Sequence, residues 1–264
     1  MGSLSGPRRV LAIIGCQVLE DEIVHVLTKD PELKAVAVVE TPCAMELAHK
    51  MAGTGKKAEV VSMEASRSSI SEEGLTAIVV LNPIGLHQSP PQLREEVLMQ
   101  AHQLSSFCDS ILIFYGLCGN AFRGLDRAAG EFDKPLVILR DAKGLVVDDC
   151  IGAVLGGTEE YREFIIQDDG GYTLNTMWAS HWRDFMYETQ LLHDPDHPEE
   201  AKIIFESMSY KKVVMLRTGL GDERAFEEQA HEFEAIFGLG HDEVRCRLDL
   251  VESSYMAAKR GCSP

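Results

Sequence analysis

The 264 residues carry 42 acidic against 25 basic side chains, a formal net charge of −17 and an isoelectric point near 4.9. An acidic surface is not attracted to nucleic-acid phosphates or anionic lipid, so neither a nucleic acid nor a membrane is expected as partner. The composition, 45% hydrophobic and 25% charged, is that of a packed globular chain; no run approaches the roughly 18 to 20 apolar residues of a bilayer span, and "MGSLSGPRRVLAIIGCQVLEDE" turns acidic too early for a secretory signal, so the cytoplasm is the expected location.

In chain order, strand-like and helix-like segments alternate. "RRVLAIIGC" and "LKAVAVVE" are short runs rich in β-branched residues with the amphipathic "LEDEIVHVLTKD" between them. "TAIVVLNP", "SILIFYG" and "KPLVILR" repeat the strand pattern, and "PPQLREEVLMQAHQLSSF" is a helix between two of them. The last third reads as a strand, glycine turn and helix in "YKKVVMLRTGLGDERAFEEQAHEFEAIFG", then a short strand and a closing helix in "DEVRCRLDLVESSYMAAKRG". This alternation predicts an α/β fold of mostly parallel sheets flanked by helices, with the ligand site at the carboxyl edge of the strands. One α/β unit over residues 1–264 is expected, with two lobes as the open alternative. Residues 170–198, holding Trp178, Trp182 and three histidines, do not follow the alternation and are expected as a lid or an inserted helical segment.

Seven cysteines, Cys16, Cys43, Cys108, Cys118, Cys150, Cys246 and Cys262, in a chain assigned to the cytoplasm favour free thiols or metal ligation over disulfides. Cys16 in "AIIGCQ", Cys118 in "YGLCGN" and Cys150 in "VVDDCIGAVLGG" each fall just beyond a predicted strand. Loops converge at that edge, thiolates need a positive partner, and Gly15, Gly116, Gly119 and Asn120 would allow close backbone approach to a cofactor. The competing reading is that each cysteine is a small buried hydrophobe, and no C-x-x-C pair strengthens the metal case. His87 in "VVLNPIGLHQSPP" stands beyond another strand as a candidate fourth ligand or proton carrier, with a capping or surface histidine as the plainer alternative. Asp149 beside Cys150 is a candidate to orient a ligand, hold a proton or complement the next helix's positive end. Cys43, at a helix start, is expected to have a lowered thiol pKa. Cys108 and Cys246 read as packing residues and Cys262 as part of a tail.

Other motifs are weaker. "GTGKK" at Gly53 lacks the G-x-x-x-x-G-K-[ST] spacing and precedes a strand, which excludes a phosphate loop of that type. "RTGLGD" follows a strand and opens a helix, so Gly219, Gly221 and Asp222 are candidate cofactor contacts, against a simple tight turn with Asp222 as helix cap. His181, between two tryptophans in "MWASHWRDFMYE", reads as a core or interface stripe that also has the means to cover a pocket.

Together "IIGCQVLEDEI", "LHQSP", "YGLCGNAFRGL", "DDCIGAVLGGTEEY" and "RTGLGD" resemble the domain of unknown function 1638 family of methanogenic archaea and anaerobic bacteria. The resemblance spans nearly the whole chain and implies that Cys16, His87, Cys118 and Cys150 are the marked positions. It further implies an association with corrinoid-dependent methyl transfer and one-carbon metabolism. Three cysteines suit a [4Fe–4S] cluster with one open iron; three cysteines plus His87 suit tetrahedral zinc. The cluster is favoured because its ligands come from separate loops and the family lives in anaerobes. Two functions are carried forward: a metalloenzyme binding a small substrate at the metal, with Asp149 or His87 moving protons, and a non-catalytic carrier of metal or corrinoid-related ligand for a methyltransferase. The expected partners are a small molecule, a corrinoid protein or methyltransferase, and a second copy in a homodimer.

Overall fold

The β-branched runs become parallel strands because only burial on both faces suits sequences so uniformly apolar. In a computed structural model that describes residues 7–125, 130 and 132–262, six of them form one sheet in the order β3-β2-β4-β1-β5-β6. These are β1 (Arg9–Cys16), β2 (Leu33–Val39), β3 (Ala58–Val61), β4 (Leu75–Asn82), β5 (Ser110–Phe114) and β6 (Leu136–Ile138). All pairings are parallel. Residues 1–6, part of the stretch weighed as a secretory signal, lie outside the described residues. Among the described residues no helix is long and apolar enough to cross a membrane.

Helices cover both faces. Leu11, Ile13, Val79 and Leu112 on one face pack against α1 (Glu20–Lys29), α2 (Ala44–Gly53) and the final helix of the chain, Asp249–Gly261. On the other face Ala12, Ile14, Val80 and Ile113 meet α3 (Pro90–Ser105), whose Leu93, Val97, Ala101 and Leu104 recur at helical spacing. Two prolines sit in its first turn, where the missing N–H is harmless.

After β6 come α4 (Cys150–Leu155) and α5 (Thr158–Gln167), then a second sheet of three parallel strands, β7 (Gly171–Leu174), β8 (Lys212–Arg217) and β9 (Gly240–Arg245), with β8 in the middle. Between β7 and β8 lie α6 (Thr176–Ser180), α7 (Trp182–Glu188) and α8 (Lys202–Ser207); α9 (Glu223–Phe237) links β8 to β9. Asp222 caps α9, its Oδ1 accepting from the backbone N–H groups of Arg224 and Ala225 at 3.1 and 3.0 Å, and Gly238 ends it in the left-handed region. Phe226, Ala230, Phe233 and Phe237 of α9 form a third core with Trp182, Phe205, Val213 and Met215.

The chain then returns: α10 (Asp249–Gly261) packs on the first sheet, so the second lobe is inserted between β6 and α10. This corrects the expectation for Cys262, which is not part of a loose tail; its thiol donates to Val10 O at 3.6 Å in the core. Residues 170–198, expected as a lid or an inserted helical segment, contribute an edge strand and two short helices to the second lobe and line one side of the cavity described next.

Candidate functional site

The parallel register sets the first thiol. Gly15 pairs with Phe114 and Cys16 with Asn82, so Cys16 ends β1 at the carboxyl edge of the sheet. Just past β5 the chain turns through Gly116, and two backbone bonds hold that turn against the segment leading into α4: Leu117 N–H to Val147 O and Cys118 N–H to Asp148 O, both 2.8 Å. A side chain on Gly116 would stand 2.7 Å from Asp149 Cα and N and from Val147 O. Only glycine permits this approach, which places Cys118 beside Cys150, the first residue of α4.

Cys16 and Cys118 are 1% and 7% exposed. Burial pushes the Cys16 thiol up to about 12. The Cys118 thiol is also raised, first by burial and then by the charges of Cys16 and Asp149. Cys150 moves the same way, by burial and then by Asp149, Cys16 and Cys118. Cys16 thus acts on both other thiols, and Cys118 acts on Cys150. Buried and with Asp149 acting on Cys118 and Cys150, these thiols stay neutral on their own and become thiolates when positive charge arrives.

Cys118, Gly119 and Asn120 have φ of 45, 65 and 68°, three successive residues in the left-handed region. For Cys118 such backbone costs on the order of 1–3 kcal/mol, held by the surrounding loop contacts. Asn120 is exposed, and Gly119 lines the cavity. Gly15 serves a packing role, since a Cβ there would meet Ile23 Cδ1 at 2.5 Å.

A cavity of about 440 Å³ opens at this edge. Its first wall holds Cys118, Cys150, His87 and Asp149; its second wall comes from the other sheet and the segment after it, with Tyr172, Asn175, Trp178, Leu191 and Leu216. Both sheets therefore present the carboxyl ends of their strands to one space, the position where parallel sheets bind ligands. Asn175 joins the lobes, its Nδ2 donating to Val18 O at 2.7 Å while its Oδ1 caps α6.

His87 donates from Nδ1 to Ile84 O at 3.1 Å, because a carbonyl can only accept. Its Nε2 is left as the acceptor, and burial holds the imidazole below its ordinary pKa, with Asp149 opposing, so the neutral form prevails at pH 7. The ring stacks on Tyr115, whose hydroxyl donates to Gly15 O at 3.1 Å. Asp149 Oδ1 accepts from the backbone N–H groups of Ile151 and Gly152 at 2.9 and 3.0 Å, so this carboxylate caps α4 as it lines the cavity.

The other candidates separate. Gly219, Gly221 and Asp222 stand apart from the thiol cavity: Asp222 is the α9 cap, and a Cβ on Gly221 would meet Thr176 Cγ2 at 2.6 Å and Asp21 Oδ2 at 2.9 Å, so this glycine seats the β8–α9 turn against the first lobe. The expectation of a lowered Cys43 thiol is overturned, because burial, reinforced by Glu20 and Cys16, pushes it up to about 12. Trp182 is a core residue against Phe233 and Phe237, and His181 bonds Glu46 across the lobes at 3.0 Å.

Sequence reasoning missed Glu20, Asp21 and Glu22, all buried at the start of α1. Among the described residues both carboxyl oxygens of Glu20 and one of Glu22 lack a hydrogen-bond partner, although Lys50 Nζ stands 3.8 Å from Glu20 Oε2. Burial, opposed by Lys50 and reinforced by neighbouring acids, lifts both to about 8, so they are largely protonated at neutral pH. Three acids in a first helical turn ordinarily complement the dipole at a solvated end; their position behind Cys16 was the available signal.

The chain matches the family described as "Protein of unknown function (DUF1638)" over residues 81–255. It belongs to that family. His87, Cys118 and Cys150 fall inside the matched region and Cys16 outside it. No curated protein matches the sequence.

Proposed function

We propose that this family member holds an iron–sulfur cluster on Cys16, Cys118 and Cys150 and binds a small substrate beside it in the cavity between the sheets. The observation that carries the reading is that Cys118 and Cys150, from the turn after β5 and the start of α4, line one wall of a cavity closed by a second lobe, with Cys16 buried at the end of β1 and acting on both. When bound, such a cluster supplies an iron without a protein thiolate, a Lewis acid for a substrate oxygen or sulfur. The donor set fits it: three thiols packed among apolar side chains and raised by burial.

The thiols come from three separate segments, which suits a cluster that spreads its ligands over different irons. His87 Nε2, the acceptor nitrogen in this tautomer, is the group we assign to take a proton from the substrate or return it. Asp149 keeps α4 and hence Cys150 in place. Tyr172, Trp178 and Leu191 exclude water from the substrate. The burial of the thiols supports an enzyme over an exposed carrier, and the family resemblance makes a corrinoid protein or methyltransferase the partner in one-carbon metabolism.

Iron, sulfide and zinc analysis with visible spectra, on protein purified without oxygen, tests this. Wild type and Cys108→Ala, a buried thiol just before β5, are expected brown with about four irons and four sulfides. The Cys16, Cys118 and Cys150→Ala triple variant is expected colourless. Wild type without iron, or with stoichiometric zinc, overturns the cluster.

A further inference from the structure

α9 carries His231 and Glu234 one turn apart, near its carboxyl end. The helix stops at Phe237, Gly238 reverses the chain at φ 69°, and Leu239 N–H closes on Glu234 O at 3.0 Å. After this short turn β9 starts, and its second residue, His241, lies back against the last helical turn. Glu234 then receives both imidazoles: His231 Nδ1 at 2.9 Å on Oε2 and His241 Nδ1 at 2.6 Å on Oε1. The ring centroids are 5.5 Å apart.

We propose that His231, Glu234 and His241 form a binding site for a divalent first-row transition ion, zinc foremost, separate from the cysteine cavity. One ligand atom from each residue lies within 4.8 Å of the other two, and among the described residues this is the one group of three that meets the condition. Two imidazoles and a carboxylate are the borderline donors such ions select, where calcium and magnesium would require more oxygens. The Glu234 side chain is 12% exposed and pinned, while those of His231 and His241 are 62% and 38% exposed, so the carboxylate is preorganised and the imidazoles are open to an arriving ion. Two fields favour a cation here: the carboxyl end of α9, where the helix dipole is negative, and the chain's net charge of −17. Three protein ligands leave a fourth position, which water fills. The bound ion clips the end of α9 to the start of β9 and stabilises the folded second lobe by mass action.

Titration of the full chain with Co²⁺ under anaerobic conditions tests the site, because cobalt on nitrogen and oxygen gives weak visible bands without the intense sulfur-to-cobalt charge transfer of a thiolate site. Wild type is expected to bind one equivalent with the nitrogen–oxygen spectrum. His231→Ala/His241→Ala, a change at exposed positions, is expected to weaken that equivalent by more than the ~10–100-fold typical of losing an outer-shell partner. Glu234→Gln is expected to weaken it as well, and Zn²⁺ is expected to raise the thermal midpoint of wild type but not of the double variant. The proposal is overturned if the double variant binds cobalt as wild type does, or if every bound cobalt shows sulfur charge transfer.

Discussion

β1, β4 and β5 of the six-stranded sheet are buried along almost their whole length, whereas β9 of the three-stranded sheet keeps five of its six residues exposed. The first sheet is sandwiched between helices on both faces and carries the thiols at its edge. The second presents a charged edge, with Lys212 on Asp242 at 2.7 Å and Arg217 on Glu243 at 3.0 Å, the sort of decoration that keeps an open strand from pairing with another chain. Its stability comes instead from one aromatic cluster around Phe233. A rigid sheet positions ligating groups, and a smaller lobe with fewer buried strands covers them; segments that open to admit a ligand come from the less stable end of a structure.

The sharpest way to break this contrast is Phe233→Ala. Phe233 is fully buried and packs on Tyr172, Trp182, Phe205 and Phe237. Its truncation should cost about 3–5 kcal/mol. Both tryptophans, Trp178 and Trp182, report on the second lobe. In urea, their emission should change before the far-ultraviolet circular dichroism of the variant; coincident transitions would show the lobes to be one cooperative unit.

A smaller effect sharpens the comparison at the first sheet. Gly116→Ala sets a methyl 2.7 Å from the backbone of Asp149 and Val147, and overpacking of this kind costs about 1–3 kcal/mol. Its iron content should fall, because the turn bearing Cys118 is forced from the segment bearing Cys150. Gly53→Ala, with nothing within 4 Å of the added carbon, should leave iron unchanged and stability within about 1 kcal/mol.

The smallest effect lies between the lobes. The hydrogen bond between His181 and Glu46 raises the histidine's pKa and lowers the glutamate's. The His181 contribution is complete below the unfolded imidazole value of 6.5 and fades as pH rises through the raised folded value. Glu46 contributes above the unfolded value of 4.5 and is lost as pH falls through the lowered one. With the side chains 26% and 35% exposed, screening limits the pair to under about 1 kcal/mol. Thermal midpoints of wild type and His181→Gln should differ most between those values, converge at alkaline pH, and converge everywhere in 1 M salt, where the screening length is about 3 Å. A difference that persists at alkaline pH would assign His181 a packing role instead.

Much of the first sheet was legible because fully buried parallel strands are written as continuous apolar runs, and the three thiols could be placed at its edge for the same reason. β7 was not: "GYTL" is four residues with no run of β-branched side chains, and only its register against Lys212–Met215 makes it a strand. The site's second wall was hidden with it. Cys262 read as a tail because nothing local announces that the last helix returns to β1.

Composition, periodicity and strand-end position thus determined the fold class, the buried strands and which cysteines stand at a carboxyl edge, since these follow from interactions within a few residues. How high burial lifts the thiols, that Glu20 and Glu22 are enclosed, and that His241 folds onto Glu234 were decided by the tertiary structure alone. The burial of the thiols and acids depends on packing by residues far apart in the chain and on the water it excludes, and the His241 contact on the reversal at Gly238; none of these is carried by local periodicity.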